Sequence, residues 1–268
     1  MAKDSCMVIK KLFIKKLEKN FKKTNDRIDA YLRDPNETNI HDSRIAIRRL
    51  IASYGLLPKF IRKKQKLKNY IGKCKLFFKI NTKIRDYDII NRKLINYDPN
   101  SVSYLKESLK TQRQLKLRDA KKIGYGIQKI RQPQINTERI SESKLDKRFK
   151  KIMNTLNAQI EQNIPIVLND ERKIPELHKL RKDFKKLRYS LELLPDTKNM
   201  SNMIINLKEI QDMLGEIHDS DIAIDYLKTI GNSHNFDNIL EYEKVQRTQK
   251  YHAFVQSFKK NEFYLKLV

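Results

Sequence analysis

Seven prolines, at positions 35, 58, 99, 133, 165, 175 and 195, divide the chain into a few long proline-free intervals. Proline lacks the N–H that a helix ladder needs, and its ring clashes with the preceding turn, so long helices belong between the prolines. Apolar side chains inside the intervals recur at helical spacing. Leu177, Leu180, Phe184, Leu187 and Leu191 form one stripe, and Ile40, Ser43, Ile47, Leu50, Tyr54 and Leu57 form a second. Leu67, Ile71, Cys74 and Phe78 form a third. No segment sustains the period of two that a half-buried strand requires. With only 6 glycines and 7 prolines in 268 residues, the chain is also too poor in turn formers for a sandwich or barrel. The pattern predicts an all-α protein of eight helices, at about 8–33, 38–57, 61–96, 101–130, 143–163, 176–194, 198–230 and 236–265.

Charge sets the next constraint. Lys and Arg number 58 against 32 Asp and Glu, a formal net charge of +26, too high for a protein indifferent to anions. Apolar residues reach 39% and are spread along the whole chain, so this charge does not imply disorder. No uninterrupted apolar run exceeds four residues, which excludes a membrane-spanning helix. The N-terminal region lacks the longer apolar core of a signal peptide. Two cysteines, Cys6 and Cys74, make no disulfide framework for a chain of this size. A cytoplasmic location is therefore expected.

A polar stretch, RQPQINTERISES at 131–143, divides the sequence almost in half, and the halves resemble each other. His41, Arg44, Arg48, Arg49 and Leu50 spell H-x-x-R-x-x-x-R-R-L; His178, Arg181, Lys185, Lys186 and Leu187 spell H-x-x-R-x-x-x-K-K-L, an offset of 137. Arg85-Asp86-Tyr87-Asp88-Ile89 is matched by His218-Asp219-Ser220-Asp221-Ile222 at an offset of 133. Lys110, Gln112, Arg113 and Lys116 return as Lys244, Gln246, Arg247 and Lys250 at an offset of 134. This is far longer than a solenoid unit. It reads as a duplicated four-helix half, 1–133 and 134–268, within one domain spanning 1–268. At about 100° per residue, His178, Arg181, Lys185 and Arg188 share a stripe one residue round from the leucines, and His41, Arg44 and Arg48 stand likewise beside Ile40, Ser43 and Ile47. Packing about a pseudo-twofold axis would turn both stripes toward one shared basic cleft. Lys75 and Lys208, offset by 133, are candidate contributors from the third and seventh helices.

The two histidine–basic elements, the two D-x-D-I elements, Leu187-Arg188-Tyr189 and Gln211-Asp212-Met213-Leu214-Gly215 together resemble the CHAD family, the conserved histidine α-helical domain. The likeness covers essentially the whole chain and occurs twice in register. It implies two pseudo-symmetric four-helix bundles enclosing a basic central cavity, and a protein that binds inorganic polyphosphate and accompanies polyphosphate granules. Some members are fused to triphosphate tunnel enzymes. The expectation here is a stand-alone form, with a polyphosphate-metabolising enzyme as its protein partner.

The residue types suit that ligand. A linear polyphosphate offers only nonbridging oxygens and charge, so its receptor needs a row of donors. Arginine presents a planar fork for two oxygens, and lysine an adaptable point charge. The candidate contacts are His41, Arg44, Arg48, Arg49, Lys75, Arg113, His178, Arg181, Lys185, Lys186, Arg188, Lys208 and Arg247, the arginines at 113 and 247 resting on the repeat alone. Asp86, Asp88, Asp219 and Asp221 read as structural carboxylates that hold arginines by ion pairing or cap helix segments.

No catalytic residue, cofactor or metal is assigned. His178, His218, Asp219 and Asp237 could complete an HD-type metal phosphohydrolase set, but His178 sits among Arg181, Lys185, Lys186 and Arg188, a poor neighbourhood for a divalent cation. Nonspecific contact with nucleic acid is expected from charge alone. The aromatics, however, fall on apolar stripes and form no stacking platform, and no short helix–turn–helix is evident.

Overall fold

The computed structural model describes residues 8–130, 132–230 and 236–260. Cys6, Arg131 and the expected end of the last helix at 261–265 lie outside them. Among the described residues the chain is all-α, with no strand. The helices are α1 (Lys10–Arg33), α2 (Glu37–Leu56), a single-turn α3 (Lys59–Arg62), α4 (Gln65–Lys93), α5 (Pro99–Gln128), α6 (Glu142–Asn169), α7 (Ile174–Leu191), α8 (Lys198–Ile230) and α9 (Asp237–Lys260). None is long and apolar enough to cross a membrane.

Local chemistry sets most boundaries. Asn36 caps α2 by accepting from the Asn39 N–H at 2.8 Å, and Asp98 caps α5 by accepting from Ser101 at 3.0 Å, with Pro99 in the first turn. Two boundaries differ from the sequence reading. The expected helix 61–96 is split: α3 ends at Arg62, α4 begins at Gln65, and a 3₁₀ turn follows at Leu94–Asn96. The helix expected to end at 163 continues through Pro165 to Asn169. Pro165 and Glu161, whose carbonyl loses its helical partner, are both exposed, so water can serve that carbonyl.

Two compact units divide the described residues. The first comprises those of Met1–Lys150 with Leu193–Pro195, and the second those of Lys151–Glu192 with Asp196–Val268. The division falls inside α6, later than the boundary of the sequence repeat.

In the first unit, α1 packs on α2, α2 on α4, α4 on α5 and α5 back on α1, a closed ring of four helices. Phe13, Phe21, Tyr31, Ile40, Ile47, Tyr70 and Phe77 fill its centre, each at most 1% exposed. Tyr31 meets Phe77 edge-on at 4.8 Å. A Cβ at Gly124 would lie 2.9 Å from the Leu32 side chain and 3.3 Å from the Phe77 ring, so a larger residue there would force this packing to shift.

In the second unit, α8 packs against both α7 and α9. Leu177, Leu180, Phe184, Leu187 and Leu191 are all buried, as their spacing requires. Backbone-directed side chains tie the elements together. The Gln211 amide donates to the Phe184 carbonyl at 3.0 Å, Asn163 to that of Glu176 at 2.6 Å, and the Tyr251 hydroxyl to that of Val167 at 2.8 Å.

Phe184 is fully buried. Replacing it with alanine is expected to destabilise the protein by about 3–5 kcal/mol through lost transfer energy and a residual cavity. Urea unfolding should show a lower midpoint with an unchanged slope.

Candidate functional site

The basic stripe of the second unit runs along α7. Leu177, Leu180 and Phe184 are drawn into the core, which leaves His178, Arg181 and Lys185 half-buried beside it. The opposing helix, α8, brings His218 and Asp221 to the stripe; three residues apart, they share one helix face. Nε2 of His178 lies 3.0 Å from Asp221 Oδ2 and 2.8 Å from His218 Nδ1, and the two rings meet edge to face at 4.3 Å. Burial would raise the Asp221 pKa, but hydrogen bonds from His178 and Arg247 outweigh it and hold the carboxylate below its ordinary range. The Nε2 proton of His178 therefore points to the ionised Asp221. His218 offers that same proton its Nδ1 lone pair, which places its own proton on Nε2.

Burial, followed by the charges of Arg181, His178 and Lys185, pushes the His218 pKa down to about 3. Burial first, and the nearby cations second, keep the ring neutral well below pH 7. Arg181 lies across α8 at Gly215, 3.6 Å from where a Cβ would stand. His178, His218 and Asp221 offer ligand atoms within 4.8 Å of one another, a spacing a metal ion could use. The charges of Arg181 and Lys185 facing the same point oppose a divalent cation there.

The first unit arranges its α2 stripe differently. His41 is exposed, and Arg44 and Arg48 are half-buried. Both guanidiniums lie over the Phe78 ring, at 5.1 and 5.0 Å from its centre, and Arg44 also donates to the Asn81 carbonyl at 2.8 Å. Phe78, expected in the apolar stripe of α4, is only half-buried because it forms this platform; its neighbour Phe77 fills the core. Desolvation, then Arg85, lower the His41 pKa; Asp42 pulls it up, and Arg44 and Arg48 lower it further.

Both units contain the same buried lock. Arg113 on α5 donates from Nε to Asp88 on α4 at 2.7 Å and from Nη2 to the Pro35 carbonyl ahead of α2 at 3.3 Å. Arg247 on α9 donates from Nε to Asp221 on α8 at 3.0 Å and from Nη2 to the Glu171 carbonyl ahead of α7 at 2.6 Å. Asp88 and Asp221 thus hold arginines by ion pairing, as read from the sequence. Arg113 and Arg247, whose side chains are 27% and 9% exposed, are engaged by these partners. Of the remaining candidates, Arg188 continues the α7 stripe and the others stand off the stripes. Arg49 and Lys186 lie about 100° round their helices from Arg48 and Lys185, and Lys186 pairs with Asp183 at 2.7 Å. Arg188 stacks on Tyr189 at 4.8 Å. Lys75 lies 5.9 Å from the Tyr54 ring centre, and Lys208 is exposed on α8.

His218 and Phe78 are members of these arrangements that the sequence reading did not assign. The signal for His218 was its place three residues before Asp221. The signal for Phe78 was its place three residues after Lys75.

Comparison with known proteins bears on both the family and the fold. The family model of the CHAD domain matches residues 15–228. The crystal structure of the CHAD domain from the plant Ricinus communis aligns with a TM-score of 0.63 at 16% identity, covering 97% of this chain and 89% of that one. At that identity the likeness concerns the fold alone. No curated protein matches the sequence.

The depressed pKa of His218 makes stability depend on pH. An unfolded chain protonates this imidazole near pH 6.5, whereas the folded protein does so near 3. Between those values the unfolded state binds more protons, so stability falls as pH drops through the window. His218→Gln is expected to flatten that dependence, read from urea unfolding at pH 7, 5.5 and 4.5. Identical pH profiles for the two proteins would show that His218 does not titrate in this way.

Proposed function

The chain belongs to the CHAD family, and on that premise we propose that it binds inorganic polyphosphate through the α2 and α7 stripes without catalysing a reaction on it. CHAD domains are associated with polyphosphate-related proteins. The observation that carries the reading is the pairing, in each unit, of a half-buried cationic stripe with a buried carboxylate lock set behind it. The carboxylates fix arginines and helix ends, while Arg44, Arg48, Arg181 and Lys185 line the stripes.

Such a surface suits a ligand with repeated oxyanions and no base or sugar to read. Arg44 and Arg48 are both held over the Phe78 ring, which reduces the rotamer entropy lost on binding. Arg181 and Lys185 act beside His178 and His218. A phosphate chain there would add negative charge beside Arg181 and Lys185, and so would favour a proton on His218. Arg113 and Arg247 act through Asp88 and Asp221, holding the stripes in place. Arg49, Lys75, Lys186, Arg188 and Lys208 contribute longer-range attraction. The cellular setting of this proposal is the cytoplasm and polyphosphate granules, with a polyphosphate-metabolising enzyme as partner and nonspecific nucleic-acid contact as a charge-driven side activity.

Each charge-assisted bond contributes about 1.5 kcal/mol or more, roughly tenfold in affinity. Changing Arg44, Arg48, Arg181 and Lys185 together to alanine is therefore expected to weaken binding of long-chain polyphosphate by about 100-fold or more, with the helical circular dichroism retained. Wild-type affinity should fall steeply with salt. Unchanged affinity in the folded variant would remove these residues from the site. Failure of polyphosphate to displace bound RNA at equal charge concentration would favour nucleic acid as the ligand.

A further inference from the structure

Between Asp42 and Asp86 the chain carries 14 Lys and Arg residues and no acidic residue. The stripe residues Arg44 and Arg48 account for part of this run. At its centre, Lys59-Phe60-Ile61-Arg62-Lys63-Lys64 forms α3 and the turn after it, beyond the C-terminal end of α2.

Two arginines meet there. Arg62 donates from Nε to the Leu57 carbonyl at 2.9 Å, while the Tyr54 hydroxyl donates to the Arg62 carbonyl at 3.1 Å. Arg148, reaching over from α6, donates from Nε to the Gly55 carbonyl. Carbonyls two residues apart at the end of α2 thus anchor two half-buried guanidiniums, each through one of its five N–H groups. Partial burial, and then the charge of Arg62, hold the Arg148 pKa below the usual arginine range. Among the described residues neither guanidinium forms an ion pair with a carboxylate, unlike Arg27, Arg85, Arg92 and Arg113 of the same unit. The carbonyls of a helix end explain the Nε bonds. They do not explain why two forks, each with further N–H donors, share one place.

The place lies in line with the stripe. On α2, Arg44, Arg48 and Gly55 fall on one face, about 16 Å from end to end at 1.5 Å per residue. A Cβ at Gly55 would meet nothing within 4 Å, so the surface is open where the line reaches the arginine pair. Lys75, over the Tyr54 ring, stands beside the same path.

We infer that Arg62 and Arg148 form an additional oxyanion subsite at the far end of the α2 stripe, taking phosphoryl oxygens of the same chain that Arg44 and Arg48 hold. The ligand class is a linear phosphate chain, and the inference rests on the polyphosphate reading above. Its consequence is a chain-length effect: a chain long enough to span the stripe engages both places, whereas pyrophosphate fills one at a time.

The test uses the full chain. Arg62→Gln with Arg148→Gln keeps an amide to reach the carbonyls and removes both charges. Its affinity for long-chain polyphosphate is expected to fall about 10-fold, with a log–log salt dependence shallower by about 1.5. In parallel, the ¹⁵N guanidinium Nε–H resonances of Arg62 and Arg148 in the wild-type protein, assigned by their loss in the single variants, are expected to shift during titration with pyrophosphate. Wild-type binding of long chains with an unaltered double variant and stationary resonances would overturn the subsite while leaving the proposed function standing. Absence of long-chain binding in the wild type would overturn the proposed function; resonances that still moved with pyrophosphate would keep the oxyanion subsite, and stationary ones would remove it too. Should the double variant fail to fold, the wild-type resonances decide.

Discussion

A helix face lined with like charges is an unfavourable thing to fold, and each unit manages it with one buried carboxylate. Asp221 meets its stripe directly at His178, but the bond the two carboxylates share is to an arginine outside the stripes. Each binds an arginine from the next helix, and that arginine donates back to the backbone just ahead of the stripe-bearing helix. Three elements are thereby fixed around one carboxyl group. Breaking such a buried pair typically costs about 3–5 kcal/mol because a charge is left unpaired in a poor solvent. The lock orients α2 and α7 at their N-terminal ends, and the leucine and isoleucine stripes fix their rotation. Where the cations point follows from those two constraints.

The apolar half of this arrangement was readable in the sequence because helical spacing alone decides it. Every member of the α7 stripe is buried. Spacing misplaced Phe78, since periodicity cannot say that an aromatic ring will be drawn half out of the core by two guanidiniums. Pro165 misled for a similar reason: its cost depends on whether the freed carbonyl faces solvent, which the sequence does not state. The repeat revealed that Arg113 and Arg247 are equivalent, yet equivalence carries no direction. Read as anion contacts, they turn inward to carboxylates. The His178–His218 contact joins residues 40 apart on different helices, beyond the reach of any local pattern. The Arg62–Arg148 pair joins two that occur once each and so left no repeat to find.

The locks also differ in how many donors they receive. Asp221 accepts from both Arg247 and His178 and is held in its ionised form. Asp88 accepts from Arg113, and among the described residues its other oxygen has no hydrogen-bond partner; burial raises its pKa despite the arginine. The origin of the difference is visible in the aligned motifs. Where the second unit has His218, the first has Arg85, which pairs outward with Glu37 at 3.1 Å. Without an imidazole partner on α4, His41 remains exposed on α2.

This single exchange changes how the two stripes carry charge. A guanidinium keeps its proton at any pH the protein meets, so Arg44, Arg48 and Arg85 present a fixed positive field. In the second unit, part of the cationic capacity is latent: His218 is neutral because burial and the nearby cations oppose its proton. An oxyanion placed between Arg181, Lys185 and the two rings lowers that opposition, and the gain in charge then comes with proton uptake. The arginines of the first copy would therefore offer an anion a field that pH barely alters, and His218 would give the second copy one that strengthens as protons become available. Duplication followed by a His-to-Arg difference at one position suffices to produce both from the same helical frame.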